Sequence, residues 1–433
     1  MLHSDEISAA VPDGGLFTRQ SNAPLPWRVS PEPLRLPRRV VKRLQGLGHL
    51  LAKFQDASHA LYLRSAAGRI APWLAELLDA GKPEWLVQAQ RSNALRGAAP
   101  RVIRPDILLC GDDDLALVEL DSVPGGMGIT LWLSRLYAQA GFDVLGGAEG
   151  MVEGMRAAHP RGAVVAVSQE SADYQPEMKW LAAELGADFS FLRAEELSPE
   201  HTGPIYRFWE LFDSAQVPPA RNLCERAAAN ALEMSPPPLA HLEEKLWLAL
   251  LHTPGLRRLW EGELRAAHLA KLRQIVPRSW VVDPTPLPPQ AVLPGLEAHD
   301  WDEVAALGRS ARRLVLKISG FSPLAWGSRG VVVGHDVSTP EWQEALSRAL
   351  SEYGSHPWVV QEFREACLVE HPYYTPDGSV AQLQGRVRLC PYYFRSAANG
   401  EVWLGGCLAT ITPADKKKIH GMRDAILVPC LAD

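Results

Sequence analysis

Four side chains within one short stretch have the types and spacing to do chemistry: Arg104, Asp106, Glu119 and Asp121, carried by RPDILLCGDDDLALVELDSVPGGMG at 104–128. Two apolar runs flank the acidic turn 111–114, a pattern that predicts a β-hairpin. Residues two apart on a strand face the same way. Arg104 and Asp106 therefore share a face of the first strand, and Glu119 and Asp121 share a face of the second. Pairing across the turn brings three carboxylates and one guanidinium together. Carboxylates so placed repel one another and rise in pKa unless a cation joins them. Oxygen-only ligands with open positions suit Mg2+, which keeps water ligands and takes phosphate oxygens as well. A solvated acidic face is the competing reading, since surface carboxylates are common. The following turn, Ser122-Val123-Pro124-Gly125-Gly126, favours the first reading, because glycine lets backbone approach a ligand closely.

A second group lies further along. Leu314-Val315-Leu316-Lys317 reads as a strand ending in a lysine, followed by a Gly/Ser-rich stretch with Gly327, Ser328 and Gly330 and by the apolar run 331–334. A long hairpin loop of this composition can donate backbone N–H groups to phosphates, with Lys317 as a point charge at its mouth. An ordinary long hairpin is the alternative, but long structureless loops in compact domains tend to be functional. GxxxxGK[ST] is absent and the lysine precedes the loop, so this is no Walker A motif. After a helix pattern at 339–353, the strand 358–363 turns polar at its end, through Val360, Gln361, Glu362 and Phe363. Arg386 and Arg388 share one face of a strand pattern at 383–394, where an anion or solvent must separate them. Lys245 stands beside the apolar helix pattern 246–251, where a solvated lysine is the plainer reading.

Arg-x-Asp, a Glu thirteen residues after the Asp, then Glu-x-Asp and a Ser/Pro/Gly turn resembles the metal-binding segment of ATP-grasp ligases. Asp121 stands where that family usually has Asn, and both are oxygen ligands. The segment closes the domain in ordinary members but lies here in the first third of the chain, which resembles the circularly permuted branch that includes glutathionylspermidine synthetase. The resemblance implies ATP and Mg2+ as cofactors, with Asp106, Glu119 and Asp121 on the metal and Arg104 on the transferring phosphoryl group. It implies Lys317, Gly327, Ser328 and Gly330 at the nucleotide phosphates. Val360, Gln361, Glu362 and Phe363 would form the hinge against adenine and ribose, and Lys245 would be a further nucleotide lysine. A phosphate-directed arginine on a core strand is implied too, with Arg386 favoured narrowly over Arg388. The implied reaction joins a small-molecule carboxylate to an amine through an acylphosphate, releasing ADP and phosphate. Three rivals stand beside it: a phosphotransferase, a nucleotide-binding partner protein without chemistry of its own, and an α/β protein indifferent to ATP.

These groups need elements to hold them. The run 163–167 (AVVAV), a helix pattern at 176–185 ended by Gly186, and a strand at 189–192 predict a βαβ unit with parallel pairing. No GxGxxG follows its first strand, which disfavours a dinucleotide site. The Tyr206-Arg207 strand after it fits the same branch, and the proline-rich stretch 284–294 reads as a boundary. The expected fold is thus α/β (α+β): a circularly permuted ATP-grasp with a Rossmann-like βαβ subdomain and helical insertions. Its expected parts are a flexible tail (1–25), N-terminal helices with the hairpin-bearing core (26–158), the βαβ subdomain (159–213), a helical segment (214–280), the lid (281–365) and the return to the core (366–433). His420 to Asp424 stand near the end as candidates to close the site.

A chain of 433 residues exceeds one compact core. Its net charge of −6 gives no reason to expect a nucleic-acid partner. No apolar run approaches the roughly 20 residues that cross a membrane, and the N-terminus has no basic-then-apolar signal pattern. Six scattered cysteines without a CxxC read as reduced thiols of a cytoplasmic protein.

Overall fold

The computed structural model of the chain describes residues 2–12, 16, 25–111, 113–121, 123–325, 327, 329–416 and 424–433. Strands are numbered along the chain. They are β1 (Leu34–Leu36), β2 (Val102–Leu109), β3 (Leu115–Asp121), β4 (Ala163–Val167), β5 (Phe189–Arg193), β6 (Ile205–Phe208), β7 (Met234–Ser235) and β8 (Ser279–Val281). Then follow β9 (Leu314–Ile318), β10 (Val331–Val333), β11 (Trp358–Glu362), β12 (Leu368–Tyr374), β13 (Val380–Arg395), β14 (Val402–Pro413) and β15 (Ile426–Ala432). The chain divides into two units: Met1–Gln55, Ser92–Pro238 and Glu365–Asp433 form the first, and Asp56–Arg91 with Leu239–Arg364 the second.

The first unit is built on a seven-stranded sheet in the order β1-β15-β14-β13-β2-β3, with β12 also on β13. Long β13 organises it, because alternate residues Val387 and Leu389 are fully buried while Arg386 and Arg388 turn half-buried to the opposite face. The β2–β3 hairpin forms as the sequence predicts, with Arg104 opposite Asp121, Asp106 opposite Glu119, and a bulge after Asp106. Beside it the β13–β2 ladder lapses. Arg388 pairs with Leu108 and Leu389 with Ile107, and pairing resumes only at Tyr393 with Ile103. The register is unchanged across that gap, so Pro391 falls opposite Pro105. Neither proline has an N–H to offer a ladder.

A second sheet of the first unit is parallel, in the order β5-β4-β6-β7. Its β4–helix–β5 portion, with the helix at Gln175–Leu185, is the βαβ unit expected at 163–192, and Gly186 ends the helix at a φ of +93°. The helix Met127–Gln139 follows the hairpin turn and stops before Gly141, whose φ is +88°. The loose tail expected over 1–25 does not hold for its first residues. Ser4–Ala9 is helical, Ile7 is buried, Trp132 Nε1 donates to Ala10 O at 2.9 Å, and the Tyr374 hydroxyl donates to Leu2 O at 2.8 Å. Two apolar side chains, Leu2 and Ile7, supply burial that the lack of periodicity concealed.

The second unit holds an antiparallel sheet in the order β10-β9-β11-β8. One face of it, through Leu314, Leu316, Ile318, Trp358 and Val360, shares a core with Val304 of the helix Trp301–Ala306 and with Trp342 and Leu346 of the helix Thr339–Ser351. Ser338 and Glu341 cap that last helix reciprocally. The second stretch of this unit runs from 239, and within it the buried helix Leu246–Leu250 packs on β8 and β11. No helix among the described residues is long and apolar enough to cross a membrane, and no disulfide joins the six cysteines.

Candidate functional site

In the first unit, hairpin register places the charged groups. Arg104 Nη2 donates to Asp121 Oδ2 at 2.7 Å and stands 3.3 Å from Asp106 Oδ1. Arg388, arriving from β13, donates through Nη1 to Asp106 Oδ2 at 2.9 Å. Burial raises the Asp121 carboxyl above the usual range; Arg104 opposes this, and Glu119 and Asp106 add to it. Burial works against the Arg104 charge, yet Asp121 and Asp106 hold its guanidinium well above the ordinary arginine value. Arg104 Nε and Arg388 Nε are buried and make no hydrogen bond among the described residues.

Arg104, Asp106, Glu119, Asp121 and Arg388 are thus brought together, and Arg386 is not. Arg386 spends its donors on Ala366 O at 2.6 Å, Ala414 O at 3.3 Å and Glu365 Oε1 at 3.0 Å. The preference for Arg386 over Arg388 is therefore reversed by the register of β13 on β2, which sets Arg388 opposite Leu108, two residues from Asp106. Among the described residues no three of His, Cys, Asp and Glu stand grouped ready to hold a metal ion. The donor set still suits a hard cation. It is oxygen only, and a divalent cation would offset both the burial and the Glu119 and Asp106 charges that raise Asp121.

Several residues of this cluster carry no sequence signal of their own. Cys390 Sγ lies 3.4 Å from Asp106 Oδ1, and burial, reinforced by Asp106, pushes its thiol up to about 12, so it is a neutral packing group. The Tyr392 hydroxyl donates to Gly125 O at 2.6 Å, and Arg104 Nη1 donates to the same oxygen at 3.0 Å. Gly126 has a φ of +84°, and a Cβ there would lie 2.7 Å from the Tyr392 hydroxyl, so the turn requires glycine. Glu177, from the helix after β4, accepts the Gly126 N–H at 2.7 Å. Burial pushes the Glu177 carboxyl up to about 8, against the pull of that bond and of Arg104. The facing prolines, 105 and 391, were the available hint that this part of the sheet is special.

In the second unit, Lys317 is buried at the end of β9 and donates to Gln361 Oε1 at 2.9 Å. Gln361 Nε2 in turn donates to Ser279 Oγ at 3.1 Å. Both lie on the sheet face away from the apolar core, whereas Val360 is wholly buried in that core on a strand paired on both sides. Glu362 is exposed at the strand end; its N–H donates to Arg278 O at 2.8 Å, and the Phe363 N–H to Arg313 O at 2.9 Å. Gly327 is exposed with a φ of +64°, and Gly330 fits so closely that a Cβ would lie 2.5 Å from Ile318. Lys245 reaches the loop itself, donating to Ser319 O at 3.1 Å and Ala325 O at 3.2 Å. Ser328, Ser122 and residues 420–423 lie outside the described residues.

No family model matches the chain, and no curated protein matches it. Among solved structures it is similar to a glutathione synthetase-like effector from Globodera pallida in its apo form, at 12% identity and a TM-score of 0.57 over 99% of this chain and 96% of that one. A fainter likeness, to a protein described as a gamma-glutamylcysteine synthetase from Methylobacillus flagellatus KT, has 13% identity and a TM-score of 0.37 over 80% of this chain and 83% of the other. At that score the second likeness carries no argument. The first shows a shared α+β fold along nearly the full length of both chains.

Proposed function

We propose that the protein is an ATP- and Mg2+-dependent ligase of the circularly permuted ATP-grasp type, joining a small-molecule carboxylate to an amine. The observation that carries this reading is the gathering of Arg104 and Arg388 around Asp106 and Asp121, with Glu119 beside them, on one sheet face. The full-length likeness to an effector described as glutathione synthetase-like supports it.

Asp106, Glu119 and Asp121 would hold Mg2+, which when bound supplies charge neutralisation for the nucleotide phosphates. Arg104 and Arg388 are fixed by the carboxylates beside them, and each retains a buried Nε–H without a partner among the described residues. Those donors suit phosphoryl oxygens, over which charge spreads as the phosphoryl group transfers. Lys317, oriented by Gln361, offers a positive point charge to a phosphate, and exposed Glu362 offers acceptors to ribose hydroxyls. An oxygen of the acid attacks the γ-phosphorus, and the bond to ADP breaks with its electron pair leaving on ADP. The amine, having lost a proton, then attacks the acyl carbon of the acylphosphate and expels phosphate. The products are amide, ADP, phosphate and a proton. Neither step asks for a protein nucleophile, in keeping with a Cys390 thiol held neutral by its burial.

The test is to incubate the protein with Mg-ATP and pooled amino acids, polyamines and small dicarboxylates while following phosphorus by NMR alongside ADP release. Inorganic phosphate that forms only when an acid and an amine are both present is the expected result. Phosphorus lodged on a pool member without amide identifies a phosphotransferase instead, and absence of any ATP binding overturns the reading.

A further inference from the structure

We propose that Lys82 and Glu244 form a buried positioning pair for the loop that follows Lys317, setting the loop before nucleotide arrives; this rests on the nucleotide-site reading above. Lys82 Nζ and Glu244 Oε1 form an ion pair whose side chains are 0% and 1% exposed. The Ser319 hydroxyl donates to the other oxygen of Glu244, and the Phe321 N–H donates to Oε1 at 3.3 Å. Leu246 N–H donates to Ser319 Oγ at 3.0 Å, and Lys245 Nζ bridges the carbonyls of Ser319 and Ala325. A Cβ at Gly320 would lie 2.6 Å from Glu243 O and 2.8 Å from the Glu244 carboxylate, so the loop is drawn tightly onto this segment.

A buried ion pair is weak evidence of stabilisation, since well-packed apolar residues of the same volume often do as well or better. The pair at 82 and 244 does something an apolar pair does not. Glu244 uses both oxygens on the loop, and Lys82 holds the carboxylate in place to accept them. Ser319 lies two residues beyond Lys317, so the same contacts fix the strand end that presents the lysine. Ordering residues 319–325 in advance removes an entropic cost that nucleotide binding would otherwise carry. Lys245 thereby acts as a tether for the loop as well as a candidate nucleotide lysine.

The test compares Mg-ATP affinity, by calorimetric titration, with the thermal unfolding midpoint in the full chain, Ser319→Ala and the double variant Lys82→Met/Glu244→Leu. Ser319→Ala keeps the ion pair but leaves the Leu246 N–H and one Glu244 oxygen unpaired, and the double variant keeps an apolar pair of similar volume, so both stay folded with midpoints lowered by at most a few degrees. The Kd for Mg-ATP should rise roughly tenfold in each, the loss expected for a hydrogen bond to a charged group. Unchanged affinity in both folded variants overturns the positioning pair while leaving the nucleotide site standing. A fall in midpoint without a shift in Kd also overturns it, because that is what a merely structural pair gives. A wild-type chain that does not bind Mg-ATP removes the underlying reading instead.

Discussion

Replacing Asp106 by asparagine separates the roles of the hairpin cluster. Asp106 is 5% exposed and takes a 2.9 Å bond from Arg388 on one oxygen, with Arg104 3.3 Å from the other. Hydrogen bonds to charged groups contribute about 1.5–3 kcal/mol each. The asparagine side chain would keep one acceptor and lose the charge, and the two guanidinium side chains, 15% and 19% exposed, recover some hydration. The stability cost is therefore about 1–2 kcal/mol. Alanine is a poorer probe than it looks from sequence, because deleting both acceptors leaves two crowded guanidiniums at a cost of about 3 kcal/mol or more. If Asp106 holds the metal, the asparagine variant should lose the gain in ATP affinity that Mg2+ confers, and turnover should fall roughly a hundredfold or more. Titration of ATP with and without Mg2+, next to urea denaturation, reads both quantities. A folded variant with the full magnesium-dependent gain and near-normal turnover would refute the metal assignment.

The arginines give a paired comparison: Arg388→Ala should lower turnover by roughly 10² or more, whereas Arg386→Ala, whose donors serve backbone carbonyls and Glu365, should act mainly on stability. Equal losses of turnover at folded variants would count against the reversal. Glu177 supplies a pH test, since its carboxyl titrates near 8 in the fold and near 4.5 when unfolded. The unfolded chain ionises first, so the native state loses stability as pH rises from about 4.5 towards about 8 and levels off above that. Denaturation curves across this window should show Glu177→Gln gaining on the wild type as pH rises, and a constant difference would mean that Glu177 is ionised throughout.

Local chemistry made much of this legible. The hairpin at 102–121 was readable because two apolar runs flank an acidic turn, and the βαβ unit because Gly186 ends a helix between two β-rich runs. Lys317 and Gln361 were readable as strand ends, and the structure joins them. Alternation put Arg386 and Arg388 on the same face and could not choose between them, because the choice depends on which β2 residue each one meets. Glu177 and Gly126 are separated by 51 positions and Lys82 and Glu244 by 162, so no window along the chain shows either contact. The anchoring of Leu2 was invisible for the same reason, since its backbone bonds Pro31 and the Tyr374 hydroxyl.

The facing prolines have a consequence for how this chain can drift. Where Pro105 meets Pro391 the two strands lack backbone rungs, and the side chains of Asp106, Arg388 and Cys390 do the stitching, while those of Arg104 and Tyr392 meet at the Gly125 carbonyl. A substitution at any of these positions is felt both in the sheet and in whatever chemistry the cluster performs. Neutral change is thereby steered away from this seam.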